Sequence, residues 1–215
     1  MTLIALTGGI GSGKSSVSSR LQAKGAHLVD SDELVKGLQR PGGSVFAAMA
    51  ERWGDRIVAP DGTLDRVAVA AIVFADSAEL EALNKLVHPA VRDETVRQTI
   101  SAAALASVVI QDIPLLAETP LTKRPRYSGV VVVDTPSELA VERLVAHRGF
   151  SEADAWARIE RQATREDRLA LAGFVVDNSG TPDELDSAVG RLWDWILGLE
   201  KVPIPRPPRS DREQP

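Results

Sequence analysis

The chain has 215 residues, enough for one α/β domain with inserted subdomains, and its apolar share of 44% beside 26% charged residues fits a sizeable core. A net charge of −5 excludes nucleic-acid binding by bulk electrostatics, so a polyanionic ligand has to be met by a local basic cluster. The lack of cysteine excludes disulfides, thiolate metal sites and thiol nucleophiles. No apolar run is long enough for a membrane span, and immediate entry into a strand leaves no room for a signal peptide, so the cytoplasm is the expected location.

Thr2-Leu3-Ile4-Ala5-Leu6-Thr7 is a short apolar run bounded by glycine, the pattern of a buried parallel strand. Gly8-Gly9-Ile10-Gly11-Ser12-Gly13-Lys14-Ser15 follows and fits the phosphate-loop pattern G-x-x-x-x-G-K-[ST]. The next segment puts Val17 and Leu21 four apart on a predicted helix that Gly25 stops. Glycines let backbone N–H groups approach a polyphosphate, and the helix N-terminus aims partial positive charge at it. Gly8, Gly9, Gly11, Ser12, Gly13, Lys14, Ser15 and Ser16 are therefore assigned to ATP. Lys14 serves the β- and γ-phosphates and the Ser15 hydroxyl serves Mg²⁺. A dinucleotide GxGxxG reading fails on spacing and gives the Lys-Ser pair no role.

Ala26-His27-Leu28-Val29 reads as a second strand ending at Asp30-Ser31-Asp32. Asp32 has two readings, a base or Mg²⁺ partner beside the γ-phosphate and a helix N-cap. Residues 33–106 hold several predicted helices and no strong strand, an insertion between strands two and three. Asp61-Gly62 marks a turn, and Asp65 caps a helix carrying Val67, Ala70, Ala71 and Phe74. The next helix starts at Ser77 with Leu80, Leu83, Leu86 and Val87 at helical spacing, and Pro89 ends it or starts its successor. His88 is a substrate contact or a residue at a helix boundary. Trp53, Trp193 and Trp195 read as packing residues.

Ser107–Ile113 is the third strand, Val130–Asp134 the fourth and Phe174–Asp177 a short fifth. Capping boxes open helices at Thr135-Pro136-Ser137-Glu138 and Thr181-Pro182-Asp183-Glu184. The second of these carries Leu185, Ala188, Val189, Leu192, Ile196 and Leu199 on one face. Strands alternating with helices imply a parallel sheet with ligands at the strands' C-terminal ends, where Asp30, Asp32, Asp112, Asp134 and Asp177 fall. Asp112 is either an acid that holds Mg²⁺ through water or a turn aspartate. Arg158, Arg161, Arg165 and Arg168 recur at steps of three, four and three. A continuous helix would carry them as one stripe, either a lid that neutralises phosphoryl-transfer charge or a solvated face paired with Glu160 and Glu166. Arg143 joins them as a catalytic candidate. Residues 201–215, rich in proline, arginine and acids, are expected to be disordered.

Taken together these residues resemble the dephospho-CoA kinase family over residues 3 to about 199. The likeness rests on the phosphate loop, on Val29-Asp30-Ser31-Asp32 where the family usually has Asp-Ala-Asp, and on Asp61-Gly62-Thr63-Leu64-Asp65-Arg66. It continues through Leu83-Asn84, His88-Pro89, Pro114-Leu115-Leu116 with Glu118, Arg143, and Gly149-Phe150-Ser151. Gln162 with Arg165 and Arg168, then Asp177-Asn178-Ser179-Gly180, complete it. The resemblance implies a nucleoside-monophosphate-kinase-like fold with a five-stranded parallel sheet, in a single domain over 1–200. Its core is 1–32, 107–147 and 169–200, a helical CoA domain occupies 33–106, and a lid occupies 148–168. It also implies Asp32 as base toward the ribose 3′-hydroxyl of dephospho-CoA, with Asn178 and Gly180 at ATP, and a monomer without nucleic-acid or membrane partners. Two positions depart from the family. Ala117 replaces a bulkier apolar residue, and Ala146-His147-Arg148-Gly149 stands where Gln-Arg-x-Gly is typical, so no lid role passes to Arg148. A GTPase-type switch is the rival from another class. It fails because Asn84-Lys85-Leu86-Val87 lacks the guanine-reading acid and because Asp177-Asn178-Ser179-Gly180 follows the wrong strand. Another small-metabolite kinase on the same core remains the alternative.

Overall fold

The computed structural model describes residues 1–119 and 125–207. Its sheet has five strands, β1 (Thr2–Gly8), β2 (His27–Asp30), β3 (Val108–Asp112), β4 (Gly129–Asp134) and β5 (Phe174–Asp177), in the order β2-β3-β1-β4-β5. β1 lies at the centre, parallel to β3 with Leu6 opposite Asp112, and parallel to β4 with Gly8 opposite Val133; β4 is parallel to β5. All seven residues of β1 are buried, as expected of a central strand covered on both faces.

The chain divides into two compact units, Met1–Val29 with Ser101–Ile204, and Asp30–Ile100 with the chain's end. In the first, α1 (Lys14–Ala23) and α9 (Pro182–Leu197) pack Val17, Leu21, Leu185, Val189, Leu192 and Ile196 against Ile4, Leu6, Ile110, Val131 and Val176 of the sheet. Trp195 packs on this core, its ring 5.4 Å from that of Phe174, and Trp193 joins it, so both tryptophans are packing residues. The Thr181–Glu184 capping box forms at the start of α9. The box expected at 135–138 does not. α6 (Ser137–Arg148) begins after Pro136 with no side-chain cap, because the Thr135 hydroxyl is directed at carbonyl oxygens, Ser12 among them.

The helical unit contains α2 (Ser31–Leu38), α3 (Ser44–Trp53), a 3₁₀ turn (Gly54–Ile57), α4 (Arg66–Ala75) and most of α5 (Ser77–Ala103). Its core is Val45, Met49, Trp53, Ile57, Val69 and Val73, with Leu83, Leu86 and Val87 packed against it. Asp65 caps α4 through the N–H groups of Val67 and Ala68, as expected. The buried face of α4 differs from the one read in the sequence. Val69 and Val73 point inward, while Val67 and Phe74 are 81% and 83% exposed. The run Arg66–Ala75 is apolar nearly all round, so its periodicity could not pick a face. α5 also passes through Pro89 without ending there. Twelve residues precede that proline in the helix and fourteen follow it, so the packing of Leu83, Leu86 and Val87 outweighs the one hydrogen bond it removes.

Of the segment expected to be disordered, 208–215 lie outside the described residues. Val202 is buried and exchanges hydrogen bonds with Met1 at 2.9 and 3.1 Å.

Candidate active site

The glycine loop runs from the end of β1 into α1, and its shape follows from its residues. Gly13, at φ 81° and ψ 25°, takes the left-handed conformation that lets the chain turn into the helix. A Cβ there would lie 2.1 Å from Asn178 Nδ2, so only glycine fits. Lys14 begins α1 and its ammonium donates to Asp112 at the end of β3, with side chains 18% and 5% exposed. Ser15 is exposed in the first helical turn, and its carbonyl accepts from the hydroxyls of Ser18 and Ser19. Ser12 is buried, and its hydroxyl oxygen has no hydrogen-bond partner among the described residues.

The segment after β4 closes around this loop from the other side. α7 (Glu152–Glu160) ends before α8 (Arg165–Leu169) begins, with Thr164 capping α8 through the N–H of Asp167. The expected continuous arginine stripe is therefore broken, and its four members meet different partners. Arg158 lies over the Phe150 ring at 4.5 Å, and Arg161 is exposed at the C-cap of α7. Arg165 grips Asp134 with Nε at 2.8 Å and Nη2 at 2.5 Å, which raises the guanidinium's already high pKa. Arg168 donates to the Ala163 carbonyl at 2.5 Å, and its guanidinium covers Gly9, where a Cβ would sit 2.9 Å from Nη2.

Three contacts that the sequence did not assign hold this segment, two of them to the loop through Ile10 and one to Glu118 after β3. Gln162 Oε1 accepts from the Ile10 N–H at 2.8 Å, Glu118 Oε1 accepts from the Ala163 N–H at 2.8 Å, and Ile10 packs with Phe150, Trp156 and Ile159. Gln162 and Glu118 stand among the residues that carry the family likeness, which was the available signal. Arg143, on α6, donates to the Asn178 carbonyl at 2.8 Å and toward Thr135 Oγ1 at 3.5 Å. Asn178 is buried and donates to Ser12, while Gly180 packs against the Glu184 carboxylate. Arg148 ends α6 and is exposed.

Asp30 and Asp32 have separate roles. Asp30 caps α2 by accepting from the N–H groups of Asp32 and Glu33 at 2.8 and 3.1 Å, so the N-cap reading belongs to Asp30. Asp32 lies exposed in the first turn of α2, where the helix N-terminus favours an ionised carboxylate. His88 is exposed in the middle of α5, not at a helix boundary. A cavity of about 700 Å³ lies within the helical unit, lined by Arg52, Trp53, Arg56, Ile72, Asp76 and Glu79 among others.

A glycine loop between a central strand and a helix, with a lysine at the helix start and a guanidinium over the loop, offers the backbone N–H groups and positive charge that suit a polyphosphate. Residues 2–184 match the dephospho-CoA kinase family. The dephospho-CoA kinase of Streptomyces avermitilis is 48% identical over 193 residues, covering 90% of this chain and 93% of that protein. The dephospho-CoA kinase of Thermobifida fusca is 43% identical over 194 residues, covering 90% and 96%. Among solved structures, a Thermus thermophilus protein superposes with a TM-score of 0.77 at 31% identity, covering 92% of this chain and 98% of its own. The chain belongs to the dephospho-CoA kinase family.

Proposed function

We propose that this chain transfers the γ-phosphoryl group of ATP to the ribose 3′-hydroxyl of dephospho-CoA, giving coenzyme A and ADP. The observation that carries this reading is the loop Gly8–Ser15, folded between β1 and α1 with Lys14 at the helix start and Arg168 over Gly9, in a chain of this family. Gly8, Gly9, Gly11, Ser12, Gly13, Lys14, Ser15 and Ser16 receive the phosphates, with Asn178 and Gly180 beside them. Residues 33–106 hold the acceptor, with His88 a candidate contact, and residues 148–168 act as the lid. The reaction belongs in the cytoplasm and needs no second copy of the chain.

In the transfer, the 3′-oxygen bonds to the γ-phosphorus while the bond from that phosphorus to the β–γ bridging oxygen breaks, and ADP leaves with the electron pair. Asp32 takes the hydroxyl proton. Lys14 stabilises charge on the transferring group, and Arg143 and Arg168 neutralise what remains. The donors present fit Mg²⁺. Ser15 offers an exposed hydroxyl and Asp112 a carboxylate, and among the described residues no group of three His, Cys, Asp or Glu could cage a metal. That is the sparse protein ligation Mg²⁺ accepts when water and phosphate supply the rest. Ser15 and Asp112 would hold Mg²⁺, which would supply positive charge to offset that of the phosphates.

The test is product analysis with Mg²⁺-ATP and equal concentrations of dephospho-CoA, AMP, adenosine and shikimate. Dephospho-CoA should be the preferred acceptor and be phosphorylated at the 3′ position. Equal turnover of AMP would sink the acceptor assignment.

A further inference from the structure

Asn178 follows β5 in the chain, yet its side chain is engaged with the phosphate loop. It is buried, and Nδ2 donates to the Ser12 carbonyl at 2.7 Å. The same carbonyl lies 3.2 Å from Thr135 Oγ1, whose single proton sits among the carbonyl oxygens of Asp134, Ser12 and Asn178 at 2.8, 3.2 and 3.3 Å. The Asn178 carbonyl in turn accepts from Arg143. Three elements thus meet at one peptide group of the loop.

That peptide group joins Ser12 to Gly13. In a trans peptide the C=O and N–H point to opposite sides of one rigid plane, so fixing the Ser12 oxygen fixes the Gly13 N–H as well. With the oxygen turned toward Asn178, the Gly13 N–H faces away from it, the side from which a phosphate approaches backbone donors. Gly13 holds its positive φ against the Asn178 amide, and any Cβ would displace that amide. The asparagine and the glycine therefore form a matched pair. One of the two N–H donors of the Asn178 amide is committed to Ser12, within a buried side chain.

We propose that Asn178 is a positioning residue, seconded by Thr135, that sets the Ser12–Gly13 peptide plane for phosphate binding. The proposal rests on the ATP-binding reading above but is independent of which acceptor is phosphorylated.

The experiment is calorimetric titration of Asn178→Asp with Mg²⁺-ATP, Mg²⁺-GTP and inorganic tripolyphosphate, with thermal denaturation to show that the variant folds. Aspartate keeps the shape but sets an acceptor oxygen against the Ser12 carbonyl. All three ligands should bind about tenfold more weakly by the same factor, with the ATP-to-GTP ratio unchanged. In turnover, KM for ATP should rise while kcat at saturating ATP stays within about threefold of the parent. Unchanged tripolyphosphate affinity, or a changed ATP-to-GTP ratio, would overturn the proposal. If Asn178→Asp does not fold, Thr135→Val should weaken all three ligands alike and Thr135→Ser should restore them. No defect in the valine variant, or an equal defect in both, would also overturn it. Failure of the parent chain to bind Mg²⁺-ATP would instead overturn the phosphate-loop reading, and preference for another acceptor would overturn only the acceptor assignment.

Discussion

Replacing Lys14 by methionine separates two roles of one ammonium group. In the structure Lys14 neutralises Asp112, a carboxylate 5% exposed at the end of β3, while the lysine side chain keeps 18% of its surface. Losing one partner of a fully buried pair costs about 3–5 kcal/mol. The wet edge of Lys14 lets water screen part of that, leaving a destabilisation of about 2–3 kcal/mol for Lys14→Met. Urea denaturation read by linear extrapolation resolves this as a midpoint lowered by roughly 1 M, since m is typically about 1–3 kcal/mol per molar. Adding Asp112→Asn removes the carboxylate charge that Lys14 had balanced and should return part of the loss. Turnover behaves differently. It should fall by about 10²-fold or more in Lys14→Met and stay down in the double variant, because no neutral side chain replaces a cation at the transferring phosphoryl group. A midpoint equal to the parent's would show that the pair contributes nothing. Activity within a few-fold of the parent would remove Lys14 from the chemistry.

Asp32→Asn should lower kcat by roughly 10²-fold or more with little change in ATP affinity, because an amide cannot accept the hydroxyl proton. Collapse of ATP or Mg²⁺ binding with kcat preserved would make Asp32 a ligand instead. Arg143→Ala and Arg168→Ala should each reduce kcat at saturating substrates more than Arg165→Ala does, since Arg165 is the one held by a carboxylate; the reverse order would refute the division. In the helical unit, Arg52 and the Trp53 indole donate to Glu79 and hold its pKa below the ordinary 4.5. A lowered carboxylate pKa stabilises the fold above the unfolded value and loses that contribution as pH falls through the folded one. Thermal melts of Glu79→Gln should therefore lie below the parent's at pH 7 and converge with them as pH drops below 4.5. A constant difference down to the acid end would exclude the ion pair as its source.

The phosphate loop and the strands were legible because their signals are local. Short apolar runs fell within a residue or two of the five strands, and the spacing of Gly8, Gly13, Lys14 and Ser15 specified a loop conformation by itself. What stayed hidden depends on partners distant in the chain. Thr135 carries the composition of a capping residue, yet its hydroxyl goes to Asp134 and Ser12, because β4 brings it beside the loop. Gln162 is an ordinary polar residue in sequence and becomes an acceptor for Ile10 only once the α7–α8 turn is folded. The α4 face was misread for a different reason. With alanine, valine, isoleucine and phenylalanine on all sides, tertiary packing alone chose Val69 and Val73.

The broken arginine stripe shows how the fold assigns charge. Even spacing gives four arginines equal standing along one helix, but Thr164 caps a new helix and ends that equivalence. The carboxylates at the strand ends then sort the cations. Asp112 closes β3 and takes Lys14, and Asp134 closes β4 and takes Arg165. Arg143 and Arg168 hydrogen-bond to neutral oxygens, those of Asn178, Thr135 and Ala163, and form no ion pair among the described residues. A guanidinium held by a carbonyl keeps its full charge and its direction, whereas one in a bidentate carboxylate pair projects little net field. At the loop, Arg168 covers Gly9, and Arg143 nears the Gly13 turn through Asn178. The two arginines without a carboxylate partner thus stand at either end of the glycine loop, near Gly9 and Gly13, whereas Lys14 and Arg165 are each paired with a carboxylate in the structure.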